Sequence, residues 1–221
     1  RSVAGAGDVN GDGLEDILIG ADNYTQTESR EGAAFLWHGS VTGVPAGGPV
    51  GSPATADWAA YGGQEEAGFG FAIASAGDVD GDGLADVIVG AYAYDNGQID
   101  EGAAFVYLGS DDGLEETPQW FHDCDHANAY YGVSVGSAGD FNGDGLSDVI
   151  VGAIRYDHPT AGEGAAFVYL GSSAGVLPGA PYWYAESNEE NGNLGYSVAG
   201  AGENNGDGIG DVVVGAPEMD A

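Results

Sequence analysis

An all-β fold, made of repeated units of four antiparallel strands stacked like the blades of a propeller, is what this sequence predicts. Three observations predict it. A nine-residue acidic loop recurs from Asp8, Asp78, Asp140 and, more loosely, Glu203, at offsets of 70, 62 and 63 residues. A Glu-Gly-Ala-Ala-Phe run starts at Glu31, Glu101 and Glu163 and leads to Gly-Ser pairs ending at Ser40, Ser110 and Ser172, each 32 residues after its loop's first Asp. A tryptophan stands at positions 58, 120 and 183, in each case 20 residues before the next loop begins. Landmarks that keep step in this way mark a repeat architecture.

Each unit reads as four short strands. The first, as in Gly132 to Ala138, runs into the acidic loop, and the second follows it at Ile17 to Ile19, Val87 to Val89, Val149 to Val151 and Val212 to Val214. The third is represented by Ala103 to Leu108, and a Ser-x-x-Gly turn at Ser110 to Gly113 leads to the fourth, around Trp120. Several of these strands are apolar without alternation, so both faces must be covered, which units stacked face to face achieve. Small residues in the first strand (Ala72, Ala74, Ser75, Ala76) suit a crowded inner edge. Glycine punctuates nearly every window that would otherwise be helical. The units place blade 1 at 1–58, without its start, blade 2 at 59–120, blade 3 at 121–183 and half of a fourth at 184–221, about three and a half blades. The Ser-to-Trp offset varies, at 18, 10 and 11, and the first copy carries an insert around Val44 to Thr55. A surface hairpin tolerates such an insert because closure entropy grows slowly with loop length.

Composition narrows the function classes. The chain has 36 acidic and 3 basic residues, a formal charge of −33, no lysine, and arginines only at 1, 30 and 155. Nucleic acid and anionic membrane surfaces are poor partners for such a charge. No apolar run is long enough to cross a bilayer as a helix. With 43% hydrophobic and 10% aromatic residues the chain is not a disordered acidic tail. Its one cysteine, Cys124, allows no internal disulfide.

The acidic loop follows the pattern D-x-[DN]-x-D-G-x-x-D. Ca²⁺ takes about six to eight hard oxygen ligands at about 2.3–2.6 Å. A tight turn brings side chains at positions 1, 3 and 5 inward, position 7 offers a backbone carbonyl, position 9 closes the cage, and Gly at position 6 permits the bend. The expected ligands are Asp8, Asn10, Asp12, Leu14 and Asp16; Asp78, Asp80, Asp82, Leu84 and Asp86; and Asp140, Asn142, Asp144, Leu146 and Asp148. A fourth, looser set is Glu203, Asn205, Asp207, Ile209 and Asp211. Asp-Gly clusters also favour simple β-turns. Three clean copies, each packing three or four carboxylates into nine residues, would repel strongly without a cation.

Other candidates are weaker. His122-Asp123-Cys124-Asp125-His126 suggests a transition-metal cluster, but other copies are polar at that connection without His or Cys, which argues against bound Zn²⁺ or Cu²⁺. His38 aligns with Leu108 and Leu170 and reads as a packed strand residue; His158 lies in a second-to-third strand loop with no partner implied. Tyr24, Tyr94 and Tyr156 recur five residues after each second strand, on the loop face opposite the acidic loops. There they serve either as ligand contacts or as packing between blades. Asn23-Tyr24-Thr25 is an N-glycosylation sequon in the same loop. No nucleophile elbow, P-loop or zinc-protease motif occurs.

Phe69-Gly70, Tyr131-Gly132 and the weaker Leu194-Gly195, together with Val214-Gly215-Ala216-Pro217, Val89-Gly90-Ala91 and Val151-Gly152-Ala153, resemble the FG-GAP repeats of the integrin α-subunit β-propeller. The resemblance covers essentially the whole chain. It implies a propeller, usually of seven blades, with Ca²⁺ on one face and ligand-binding loops on the other, in an extracellular or cell-surface setting with roles in adhesion. Three and a half blades fall short of the usual four to eight. The expectation is therefore a segment of a longer protein, or a chain that completes its ring and edges with other copies of itself. The leading expectation is a calcium-stabilised, non-catalytic module for adhesion, ligand binding or surface and filament assembly, with a protein or glycan ligand on the loop face. The alternative is a propeller module of a carbohydrate-active enzyme, or a glycan-binding lectin, with His122 to His126 as the one break in the repeat.

Overall fold

The computed structural model describes residues 2–41, 43 and 52–219. Three four-stranded antiparallel sheets and one two-stranded sheet follow one another along the chain. The first holds β1 (Ser2–Gly7), β2 (Asp16–Ala21), β3 (Ala33–Trp37) and β4 (Trp58–Tyr61) in sequence order. β5 (Phe69–Gly77), β6 (Asp86–Ala91), β7 (Ala103–Tyr107) and β8 (Trp120–Asp123) make the second. β9 (Tyr131–Gly139), β10 (Asp148–Ala153), β11 (Ala165–Tyr169) and β12 (Trp183–Glu186) make the third, and β13 (Ser197–Gly202) with β14 (Asp211–Gly215) the last. The all-β, four-strand expectation holds. The insert expected at Val44 to Thr55 lies mostly outside the described residues; its end, Pro53–Thr55, is a single 3-10 turn whose Ser52 side chain accepts from the Ala54 N–H.

β6, β7, β10 and β11 are buried along their whole length, because each sheet is covered by its neighbours on both faces. The cores lie between sheets: Leu18 and Trp58 of the first pack with Val87, Phe105 and Tyr107 of the second. Trp120 of the second packs in turn with Val149, Phe167 and Tyr169 of the third. The repeated tryptophan is the bridge. Trp58 meets Tyr107 edge-on at 4.9 Å and its Nε1 donates to the Glu115 carbonyl at 2.9 Å, while Trp120 sits 4.9 Å from Tyr169. Aromatic pairs of this geometry add about 0.5–1.5 kcal/mol beyond area burial.

The Phe/Tyr-Gly element is the second joint. Phe69, Tyr131 and Leu194 bridge to Gly32, Gly102 and Gly164 of the preceding sheet. A Cβ on Gly20, Gly90 or Gly152 would overlap the carbonyl oxygen of Gly70, Gly132 or Gly195 in the following sheet. Glycine is needed there for close backbone approach. Gly90→Ala should therefore cost about 2–3 kcal/mol in urea unfolding, the range for overpacking a rigid contact. Gly136→Ala, where the nearest atom to a new Cβ is 3.7 Å away, should be neutral or slightly stabilising.

The end of each blade away from the acidic loops is fixed by the glutamate of the Glu-Gly-Ala-Ala-Phe run. Glu31, Glu101 and Glu163 are all 0% exposed. Glu31 Oε1 accepts from the N–H groups of Gln26, Thr27 and Glu28 at 2.7, 2.7 and 3.2 Å, and Oε2 from Gly63 N–H at 3.2 Å. Burial works against its charge, but these backbone donors outweigh it and hold the carboxyl below the usual glutamate range. A depressed carboxyl contributes stability that is present above its unfolded pKa and lost as pH falls through the folded one. Glu31→Gln should thus cost about 1–2 kcal/mol at pH 7, and the gap from wild type should close as pH falls below about 4. A gap that persists at pH 3 would show that charge is not what Glu31 supplies.

Candidate metal centre

The acidic loops join the first and second strands of every sheet, and their conformation follows from short side-chain-to-backbone bonds. Asp8 Oδ1 accepts from Gly11 and Asp12 N–H at 2.8 and 3.1 Å and Oδ2 from Gly13 N–H at 2.8 Å. Asn10 accepts from Asp12 N–H, and Asp12 from Leu14 N–H. Asp78 and Asp140 repeat this with Gly81 and Gly83, and with Gly143 and Gly145. Asp82 likewise accepts from Leu84, and Asp144 from Leu146. Glycines 11, 13, 81, 83, 143 and 145 have φ between 74° and 93°, a region other residues avoid, which curls the backbone around the first Asp.

The closing aspartate does more than end the loop. Asp16 Oδ2 accepts from Val9 N–H at 2.9 Å and Oδ1 from Gly39 N–H at 2.7 Å. Asp86 does the same with Val79 and Gly109, and Asp148 with Phe141 and Gly171. These carboxylates are 1, 1 and 0% exposed and tie loop, second strand and third-strand exit into one unit. The next blade clasps the loop: Ala85 N–H donates to the Asp8 carbonyl and Ser110 N–H to that of Val9, as Ser147 and Ser172 do to Asp78 and Val79.

Burial pushes the Asp86 carboxyl up to about 7 and that of Asp148 up to about 6, against the pull of their backbone donors; the charges of Asp80 and Asp78, and of Asp144 and Asp140, add to the rise. Burial, together with Asp82 and Asp78, raises Asp80 as well. In the second loop one carboxylate oxygen each from Asp78, Asp80 and Asp86 lies within 4.8 Å of the others. Crowded, partly desolvated oxygens whose negative charge is disfavoured fit a hard cation. Asp82 is not one of that trio; its Oδ1 accepts from Leu84 N–H at 2.8 Å. In the first and third loops Asn10 and Asn142 take the place of Asp80, and Asn142 Nδ2 donates to Asp144 Oδ2 at 2.9 Å. The fourth loop keeps the Asp211 Oδ2 bond to Asn204 N–H at 2.7 Å, but Asp211 Oδ1 takes Asn205 Nδ2 in place of a third-strand amide. Glu203 Oε1 accepts from Asn205 and Gly206 N–H, Asn205 from Asp207 N–H, and Asp207 from Ile209 N–H.

A second acidic trio was not among the sequence candidates. Glu101, Asp123 and Asp125 bring carboxylate oxygens within 4.8 Å of one another at the opposite end of the second blade. The histidines and cysteine beside it are turned elsewhere. His122 Nε2 lies 3.0 Å from the Gly179 carbonyl and its ring stacks on Trp120; His126 Nδ1 lies 2.6 Å from the Cys124 carbonyl, with its ring 4.4 Å from Tyr156. Cys124 Sγ donates to the Glu101 carbonyl. His158, for which no partner was expected, has Nδ1 3.3 Å from Glu186 Oε1. His38 falls one residue beyond β3 and its N–H donates to Asp57. Tyr24, Tyr94 and Tyr156 pack edge-on against Phe35, Phe105 and Phe167 of their own third strands at 5.3, 5.6 and 5.4 Å.

Sheets of four antiparallel strands, joined at one end by clasped acidic loops, define a repeat protein of the propeller-blade class with a candidate divalent-cation end. The FG-GAP repeat family matches residues 1–37, and the FG-GAP-like repeat family matches residues 78–151. Integrin alpha-5 of Xenopus laevis is 31% identical over 188 residues, 78% of this chain and 16% of the relative. Human integrin alpha-7 is 34% identical over 157 residues, 67% of this chain and 12% of the relative, and integrin alpha-PS2 of Drosophila melanogaster is 38% identical over 116 residues, 49% and 8%. The chain is an FG-GAP repeat protein of the integrin-α-like kind, and it spans 8–16% of the length of these relatives. Among the described residues no helix is long and apolar enough to cross a membrane.

Burial pushes the Cys124 thiol up to about 12, with Asp123 and Glu101 adding to the rise. Since the thiolate is the reactive form, alkylation by iodoacetamide at pH 8 should be at least a hundredfold slower in the folded protein than in urea. Equal rates, read by mass spectrometry, would show an open, unperturbed thiol.

Proposed function

We propose that the chain is a calcium-stabilised, non-catalytic propeller segment of an extracellular or cell-surface protein, acting in adhesion, ligand binding or surface assembly. Each four-stranded sheet is one blade, and the expected divisions at 58, 120 and 183 move to just after its last strand, at Tyr61, Asp123 and Glu186. The observation that carries the reading is the acidic loop itself, built alike four times at the same strand junction and clasped by the following blade in the first three. Calcium would be held by Asp8, Asn10, Asp12, Leu14 and Asp16; by Asp78, Asp80, Asp82, Leu84 and Asp86; by Asp140, Asn142, Asp144, Leu146 and Asp148; and by Glu203, Asn205, Asp207, Ile209 and Asp211.

Bound calcium supplies positive charge. The residues of the chain do the rest: the first Asp gathers backbone N–H groups, the closing Asp ties three segments, and the next blade fixes the carbonyls. Neutralising the cluster then rigidifies a blade junction rather than a free loop. Extracellular calcium modules bind at about 10⁻⁴–10⁻³ M, which suits an exported setting. The loops at the other blade ends, including those of Tyr24, Tyr94 and Tyr156, are proposed to receive a protein ligand. Against a catalytic role, His122 and His126 face backbone carbonyls and Cys124 is held as a thiol.

Thermal unfolding in millimolar Ca²⁺ and in EGTA tests the proposal. A site held at a hundred times its Kd adds about 2.7 kcal/mol, which is about 5–10 °C in a chain of this size. Asp78→Ala and Asp140→Ala should each remove a share of that rise and also lower the EGTA melting point by a smaller amount, since each loses the carboxylate that gathers its loop's backbone N–H groups. Identical melting in both buffers would remove calcium from the account.

A further inference from the structure

We infer that Glu101, Asp123 and Asp125 form a second kind of cation site, at the end of the blade opposite the acidic loops, and that it takes a hard divalent ion such as Ca²⁺. Glu101 is fully buried. Its Oε1 accepts from Asn96 and Gln98 N–H, whereas Oε2 is buried with no hydrogen-bond partner. The carboxylates of Asp123 and Asp125 converge on this same group. Asp123 accepts one hydrogen bond at each oxygen, Oδ2 from Asn96 Nδ2 at 2.8 Å and Oδ1 from Asp125 N–H at 3.2 Å, which leaves lone pairs on both for an ion. Among the described residues no basic side chain pairs with any of the three; the recorded ion pairs are Arg30–Glu66 and His158–Glu186.

Comparison of the blades shows what has changed. The registers Ala33–Tyr61, Ala103–Asp123 and Ala165–Glu186 make Tyr61, Asp123 and Glu186 equivalent, and two residues on they align Gly63, Asp125 and Asn188. In the first blade Glu31 Oε2 is satisfied by Gly63 N–H and the Thr27 hydroxyl. In the second, Gly97 stands in the place of Thr27 and has no hydroxyl. Asp125 replaces Gly63, and its N–H turns to Asp123. Oε2 has lost both donors, as has Glu163 Oε2 in the third blade, and among the described residues only in the second blade do two further carboxylates converge on the glutamate. A buried carboxylate oxygen in that company needs a positive partner. The third blade keeps one acid, Glu186, and sets an imidazole nitrogen 3.3 Å from it.

The converging set is three carboxylates with no sulfur or nitrogen among them, and oxygen-only ligation selects a hard ion. A cavity of about 310 Å³ lined by Asp123, Cys124, Asp125, Tyr156 and Glu186 opens beside the trio, giving an ion entry and room for the waters that complete its shell.

Non-denaturing mass spectrometry of the full chain across a Ca²⁺ titration counts the ions. Asp125→Gly is the decisive variant: Asp125 has φ 53° and Gly63, its equivalent, φ 67°, so glycine relaxes the backbone there. Asp125→Gly and Glu101→Gln, which retains an acceptor oxygen for Asn96, should each bind one ion fewer than wild type. Asp123→Asn should weaken that ion at least tenfold. Asp78→Ala should lose a loop ion and keep this one, so failure of the loop sites and failure of this site give different counts. An Asp125→Gly protein that binds as many ions as wild type, with the same affinities, overturns the assignment. If Glu101→Gln does not fold, Asp125→Gly alone decides.

Discussion

A buried carboxylate held by backbone N–H groups is the interaction on which each blade depends, and it is used at both ends. At one end Asp16, Asp86 or Asp148 joins the acidic loop to the exit of the third strand; at the other, Glu31, Glu101 or Glu163 closes the loop into that strand. The choice of donor is forced by composition. With three arginines and no lysine, the chain cannot neutralise its interior acids with side chains, so it turns amide dipoles toward them. Such bonds are charge-assisted, and each secures a turn that the short strands could not fix alone.

The second constraint is steric and acts between blades. Strands of four to nine residues bury little by themselves, so each sheet must press closely on the next. Glycines 20, 90 and 152 permit that by admitting the carbonyls of Gly70, Gly132 and Gly195. Trp58 and Trp120 fill what remains, each reaching a tyrosine of the following blade, and Trp58 a carbonyl as well. Because each of the first three acidic loops is also clasped by the following blade, loop conformation and blade stacking are coupled: softening one loop loosens the contact of two sheets. β13 and β14 show the converse. Val198 and Val212 of this pair pack against Ile150 and Ala138 of the third sheet, while Val213 on their other face is 56% exposed.

Spacing made the architecture legible in the sequence. Landmarks at constant offsets gave the four strands, their order and the place of the acidic loops, because local turn chemistry alone sets those features. What spacing could not give is the partner of a side chain brought in by strand pairing. The bond from Gly39 to Asp16 spans 23 residues, as do its two equivalents, and nothing local marks it. The glutamate of the Glu-Gly-Ala-Ala-Phe run was visible as a landmark while its role was not, since identity does not report which donors surround an oxygen. His158 was read as unpartnered because Glu186 lies 28 residues on, across the β11–β12 pairing. Asp82 follows the same motif as Asp78, and its Oδ1 also accepts from Leu84 N–H, a bond the motif does not announce.

The three glutamates form an experiment that the chain has run on itself. The same buried side chain sits at the same junction three times; its second oxygen takes an amide and a hydroxyl in the first blade and has no hydrogen-bond partner in the second and third, and among the described residues only in the second do two further carboxylates converge on the group. The third blade shows that stripping this oxygen does not by itself bring in acids: Pro159 and Asn188 stand where the first blade has Thr27 and Gly63, Glu163 Oε2 is likewise unpartnered, and Glu186, at the place of Asp123, is the one acid. Thr27 giving way to Gly97 removes a donor, and Gly63 giving way to Asp125 removes another and forces an aspartate into a left-handed backbone. Such a backbone costs about 1 kcal/mol or more for a residue with a side chain, and convergent carboxylates add repulsion to that cost. Both penalties fall on one oxygen cluster beside a cavity of about 310 Å³, and one divalent ion would offset both.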